Sequence, residues 1–66
     1  MTYETLKYEV RNNVAHITLN RPEAANALDV QMSRDLMDVS FETSEDPDVR
    51  AILITGSGRF FCAGGD

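Results

Sequence analysis

The chain closes on "VRAILITGSGRFFCAGGD", residues 49–66, and this stretch constrains the fold more than any other. "AILIT" is a short apolar run rich in β-branched residues, which predicts a buried strand. It follows "VQMSRDLMDVSFETSED", a segment with helical patterning. A strand reached through a helical crossover can lie parallel to an earlier one, because parallel neighbours need a long connection between them. The strand then runs into a loop carrying all four glycines of the chain and its single cysteine, Cys62.

The earlier part of the chain supplies partners for that strand. In "TLKYEVRNNVAHITL", Leu6, Tyr8 and Val10 alternate with Lys7, Glu9 and Arg11, a period of two with one apolar face. Asn12-Asn13 separates two such runs. Asn tolerates positive φ, so a two-residue type I′ hairpin turn is expected there. Val14 to Leu19 is apolar except at His16 and Thr18, which predicts cover on both faces. His16 is read as a structural or surface histidine.

"NRPEAANAL" follows, and Pro22 keeps Arg21 out of helical geometry. Asp29 is placed to cap the next helix. On that helix Val30, Met37 and Phe41 are expected to mark the apolar face, broadened by Met32, Leu36 and Val39. Arg34, Asp35, Asp38 and Glu42 are assigned to the solvent side. The methionines read as core filler. "SEDPD" ends the helix through its proline and its competing polar side chains.

The expected fold is therefore α/β: hairpin, helix, buried strand, glycine loop. With 66 residues there is room for one domain at most, and domains this small are marginal without staples. One cysteine forms no internal disulfide, and Cys62 with His16 is no metal-ligand set. Three short strands and one helix would leave an edge and an apolar face open. More chain or another subunit is expected to cover them, and the segment reads as part of a larger domain.

Net charge is −5, with most acidic residues between Glu23 and Asp48, so no nucleic-acid partner is expected. The start, "MTYETLKYEV", has no basic leader or apolar core of a signal peptide, and no apolar run approaches a membrane span. No membrane association is expected, and the default setting is cytoplasmic.

The glycine loop limits the chemistry. A P-loop needs a Lys after its last glycine, and the chain has none beyond Lys7. A dinucleotide loop needs a third glycine where Phe61 stands, after Gly56 and Gly58. A nucleophilic Cys62 would need a base, and the only histidine is His16. The remaining idea is a backbone site. Glycines let peptide N–H groups face a cleft unobstructed, and an N–H aimed at a carbonyl oxygen stabilises the oxyanion that forms there. A plain strand-to-helix turn, with Asp66 capping the helix, fits these residues equally well.

"VAHITLNRPEAANAL" together with "GSGRFFCAGGD" resembles the N-terminal part of the crotonase, or enoyl-CoA hydratase/isomerase, superfamily. Both blocks stand in that family's order and spacing, and the likeness covers essentially the whole chain. It implies the start of a ββα spiral domain, residues 1–66 being its N-terminal portion. It implies an acyl-CoA thioester as substrate, with coenzyme A as part of that substrate and no other cofactor or metal. It also implies a homotrimer or dimer of trimers.

Residue by residue, the family's first oxyanion donor, a backbone N–H, matches Gly65. Ala63, Gly64 and Asp66 match the loop around the thioester and the pantetheine arm. Ala25 and Ala27, with Glu23 near by, match the segment that leans on the CoA moiety. Asn26 and Leu28 are read as holding the turn. Cys62 falls where the family accepts Ser, Cys or Ala, which implies an inert thiol. The implied mechanism is stabilisation of a thioester enolate. The second donor and the acid–base side chains lie downstream of this loop in the family, and no residue up to Asp66 matches them.

Overall fold

Alternation and turn chemistry produce the expected hairpin. In the computed structural model, which describes residues 3–59, 61, 62 and 64, β1 spans Leu6–Arg11 and β2 spans Val14–Leu19. They pair antiparallel with Arg11 opposite Val14 and Leu6 opposite Leu19. Asn12 and Asn13 take φ of 52° and 66°, the left-handed pair a type I′ turn requires. Asn13 Nδ2 also donates to Asp48 O at 2.9 Å, tying the hairpin tip to the end of the crossover.

The crossover holds a short 3-10 turn, Pro22–Ala24, and the helix α1, Val30–Glu45. Asp29 caps α1 as expected, its Oδ1 accepting from Met32 N at 2.8 Å. Strand β3, Ala51–Gly56, then lies parallel to β2, with Val14 beside Ala51 and Leu19 beside Gly56. The sheet order is β1-β2-β3.

Two burial expectations are corrected. The first concerns α1. Val30, Met37 and Phe41 are 68%, 62% and 62% exposed, so they do not form the core face. The face turned inward is Met32, Asp35, Val39 and Thr43, spaced three, four and four apart, with Leu36 partly buried beside it. Asp35 decides this rotation. One carboxylate oxygen accepts from Thr5 N at 2.9 Å and from Thr5 Oγ1 at 2.8 Å, and the other accepts from Gln31 Nε2 at 2.9 Å. A charged side chain can face inward when its acceptors are filled in this way.

The second correction concerns the sheet. β2 alternates, with Ala15, Ile17 and Leu19 buried and Val14, His16 and Thr18 half-buried. Its apolar run is thus covered on one face among the described residues. β3 is a strand but not a buried one, with Ile52 53% and Ile54 44% exposed. The reason is geometric. A helix is about 10 Å across with its side chains and strands lie about 4.8 Å apart, so one helix shelters about two strands. Here α1 packs with Leu6 of β1 and Ile17 of β2, around Val39, with Tyr3, Tyr8 and Leu36 at the margin. β3 lies beyond its reach.

Candidate functional site

The site is assembled where the turn before α1 meets the loop after β3. Both lie at the same end of the sheet, because β2 and β3 run parallel and each exits there. Pro22 opens the 3-10 turn, and Ala25 N donates to Pro22 O at 3.2 Å. Ala25 and Asn26 then take φ of 52° and 56°. Two consecutive left-handed residues reverse the chain, and only glycine and asparagine enter that region at little cost.

Asn26 is fully buried and holds this reversal from inside. Its Oδ1 accepts from Arg21 N at 2.7 Å, and its Nδ2 donates to Ser57 O at 2.8 Å. Arg21 Nη1 donates to Ala27 O at 2.6 Å and lies 3.3 Å from Asp29 Oδ2. The turn is thereby tied to the residue that caps α1. Beside it an open groove of about 490 Å³ runs along α1, lined by Leu28, Val30 and Met37 with Arg34 and Asp29 at its rim.

The glycine loop meets the end of β2 and then this turn. Ser57 N donates to Leu19 O at 2.9 Å, carrying the β2–β3 pairing one residue past the strand. Gly58, at φ +83°, passes so close to Pro22 that an added Cβ would sit 2.9 Å from the proline Cβ. Gly64, at φ +106°, accepts at its oxygen from Leu28 N at 2.7 Å. The two sequence motifs, at 14–28 and 56–66, are thus hydrogen-bonded to one another.

Of the residues singled out from sequence, Ala25, Ala27 and Gly64 lie on this unit. Ala63, Gly65 and Asp66 lie outside the described residues. Sequence reading placed Asn26 as a brace of its own turn, and its bond to Ser57 extends that role to the opposite loop. Arg21, outside that set, also belongs to the unit through its bonds to Ala27 O and Asp29. His16 is half-buried on the outer sheet face, with Arg11 Nη2 3.4 Å from its Nδ1. Cys62 has its Sγ 4.0 Å from Gly64 O, too long to restrain the loop. Among the described residues no three His, Cys, Asp or Glu side chains gather as metal ligands.

This arrangement has close counterparts. The family model for enoyl-CoA hydratase/isomerase matches residues 9–66. A probable enoyl-CoA hydratase of Mycobacterium bovis is 48% identical over 66 residues, all of this chain and 26% of that protein. The (E)-benzylidenesuccinyl-CoA hydratase of Thauera aromatica is 48% identical over 59 residues, 88% of this chain and 23% of that protein. The crystal structure of an enoyl-CoA hydratase/isomerase from Mycobacterium paratuberculosis superposes with a TM-score of 0.95 at 45% identity, over 98% of this chain and 26% of that one. The chain spans about a quarter of the length of these relatives and matches their N-terminal part. Family model, sequence identity and superposition agree: the chain belongs to the enoyl-CoA hydratase/isomerase, or crotonase, family.

Proposed function

We propose that the protein carrying this segment binds acyl-CoA thioesters and stabilises a thioester enolate through a backbone oxyanion hole. Gly65 would supply one donor through its N–H, with Ala63, Gly64 and Asp66 around the thioester and Ala25 and Ala27 against the CoA moiety. The observation that carries the reading is the Leu28 N–Gly64 O bond, which joins the CoA-side turn to the glycine loop. When a proton leaves the α carbon, the electron pair moves onto the thioester oxygen. A preorganised N–H there is typically worth about 2.7–4 kcal/mol in the transition state. The segment contributes one half of the hole, and the residues that move protons are expected elsewhere in the protein. Coenzyme A enters as part of the substrate, and no other cofactor is required.

The test uses acetoacetyl-CoA, whose enolate absorbs in the near ultraviolet. At the full length of the relatives, the protein should bind it and show the enolate band. Gly65→Pro, which deletes the N–H, should lose the band. An undiminished band would refute the reading. By family likeness we also infer a homotrimer or dimer of trimers in a cytoplasmic setting. Sedimentation as a stable monomer would refute the assembly.

A second reading rests on β3. Its exposed Ile52, Leu53 and Ile54 suit a non-catalytic chain whose sheet is covered by a partner. It predicts no acetoacetyl-CoA binding at all.

A further inference from the structure

We propose that the outer face of α1 is a self-association surface, on which two copies of this chain pair antiparallel with Phe41 of each seated in the other's groove. The inference does not rest on the acyl-CoA reading.

The face follows from Asp35. Its bonds to Thr5 turn Met32, Asp35, Val39 and Thr43 inward, and the opposite side of the helix is left with Val30, Met37 and Phe41. These three are among the most exposed large apolar side chains described. At spacings of seven and four residues they form one continuous stripe. An exposed apolar stripe with a polar border marks a contact surface.

The stripe is complementary to itself in shape. Toward its N-terminal end Leu28, Val30 and Met37 line the open groove of about 490 Å³. A hollow of that size has room for a phenyl ring. Toward its other end Phe41 stands out beside Asp38 and Glu45. Knob and hollow lie on one helix at opposite ends, so a two-fold axis between two copies fills both hollows at once.

Charge sets the direction. One flank of the stripe carries Ser33, Ser40 and Ser44, and the other carries Arg34, Asp38 and Glu45. A parallel pair sets each charged flank against serines, whereas an antiparallel pair brings the charged flanks together. With Phe41 of one copy over Val30 of its partner, three residues back along the first helix is three residues on along the second. Asp38 then falls at Ser33 and beside Arg34 of the partner copy, and the relation repeats across the axis. Neither Arg34 nor Asp38 makes a side-chain hydrogen bond or ion pair among the described residues, so both are free to form this one.

The exposed side of β3 offers a second copy less. Ile52, Leu53 and Ile54 face outward, but Ala51–Gly56 carries no charge, so the strand holds nothing that fixes a direction or a register.

Sedimentation of the 66-residue chain across a range of concentrations up to about 1 mM tests the pairing. A monomer–dimer equilibrium is expected. Phe41→Ser should weaken it about 10-fold or more, as removal of a central aromatic anchor does. Arg34→Asp and Asp38→Arg should each weaken it by setting like charges together, and the double variant should restore it. Circular dichroism should show the same helix content in all four variants, because the three side chains are exposed.

A chain that stays monomeric up to about 1 mM overturns the proposal. So does a double variant that associates no better than either single one, because the helices then do not meet in this register. A dimer that survives Phe41→Ser and is lost in Ile54→Asp overturns it in favour of β3.

Discussion

Thr5 gives both its N–H and its hydroxyl to the same oxygen of Asp35, at 2.9 and 2.8 Å. This pair joins the entry to β1 with the inner face of α1, across 30 residues of sequence. Burial alone would raise the Asp35 pKa, but the donors from Thr5, Gln31 and Glu4 N outweigh it, and the pKa lies below the ordinary value. Asp35→Ala should cost about 2–3 kcal/mol in urea unfolding, because it leaves buried donors without an acceptor. The sign of the pH effect follows from the lowered pKa. The carboxylate stabilises the fold above the unfolded pKa of about 3.9, and that stability is lost as pH falls through the folded value. In Asp35→Ala the acid limb of the stability curve should flatten.

Tyr3 and Tyr8 sit edge to face, ring centroids 6.4 Å apart, yet their hydroxyls differ. Tyr3 donates to Glu42 Oε1, while the buried Tyr8 hydroxyl has no partner among the described residues. Tyr3→Phe should therefore destabilise by about 1 kcal/mol. Tyr8→Phe should be neutral or stabilising, because it removes a desolvated hydroxyl that makes no bond. Burial first raises both pKa values, followed by the hydrogen bond to Glu42 for Tyr3 and by the charge of Glu42 for Tyr8. A raised pKa means that the neutral phenol stabilises the fold below about pH 10, and this contribution is lost as pH rises through the folded value. Urea unfolding at pH 7 and above pH 10 checks both the ranking and the sign.

Ala25 holds φ of 52° without the freedom of glycine. A left-handed L-residue costs about 1–2 kcal/mol, and glycine gives back about 0.4–1 kcal/mol through its freer unfolded chain. Ala25→Gly should thus gain up to about 1 kcal/mol. Ala25→Val should lose stability, since a branched Cβ fits that region worst. A loss in Ala25→Gly would mean that the alanine methyl makes a contact that outweighs its backbone strain.

The elements were legible because each carries a local signal. The Asn12-Asn13 pair announces the hairpin, Asp29 announces the start of α1, and the β-branched run announces β3. Burial was less legible because it depends on which partner an element finds. Val30, Met37 and Phe41 form a respectable apolar stripe, and nothing within the helix shows that Asp35 outranks them. That ranking comes from Thr5, which periodicity along α1 does not see. At the site, the two motifs were legible through their resemblance to one family, but the bonds from Asn26 and Leu28 were not. Both end on backbone carbonyls, at Ser57 and Gly64, and a carbonyl has no sequence signature.

Gly58 and Gly64 look alike in sequence but should respond differently to a methyl group. Both have positive φ, +83° and +106°, so alanine is strained at either by about 1–2 kcal/mol. At Gly64 no described atom lies near the added Cβ, so among the described residues backbone strain is the cost. At Gly58 the Cβ meets the Pro22 Cβ at 2.9 Å, and neither partner is a flexible chain end. Pro22 has its φ locked and opens the turn that carries Asn26, so relief of the clash must move that turn. Gly58→Ala should therefore be the more destabilising change in urea unfolding, by about 1–3 kcal/mol beyond Gly64→Ala, in the range that overpacking typically costs. It should also lower the acetoacetyl-CoA enolate band through the displaced turn. Equal losses at the two positions would mean that the 22–28 turn yields freely and does not brace the glycine loop.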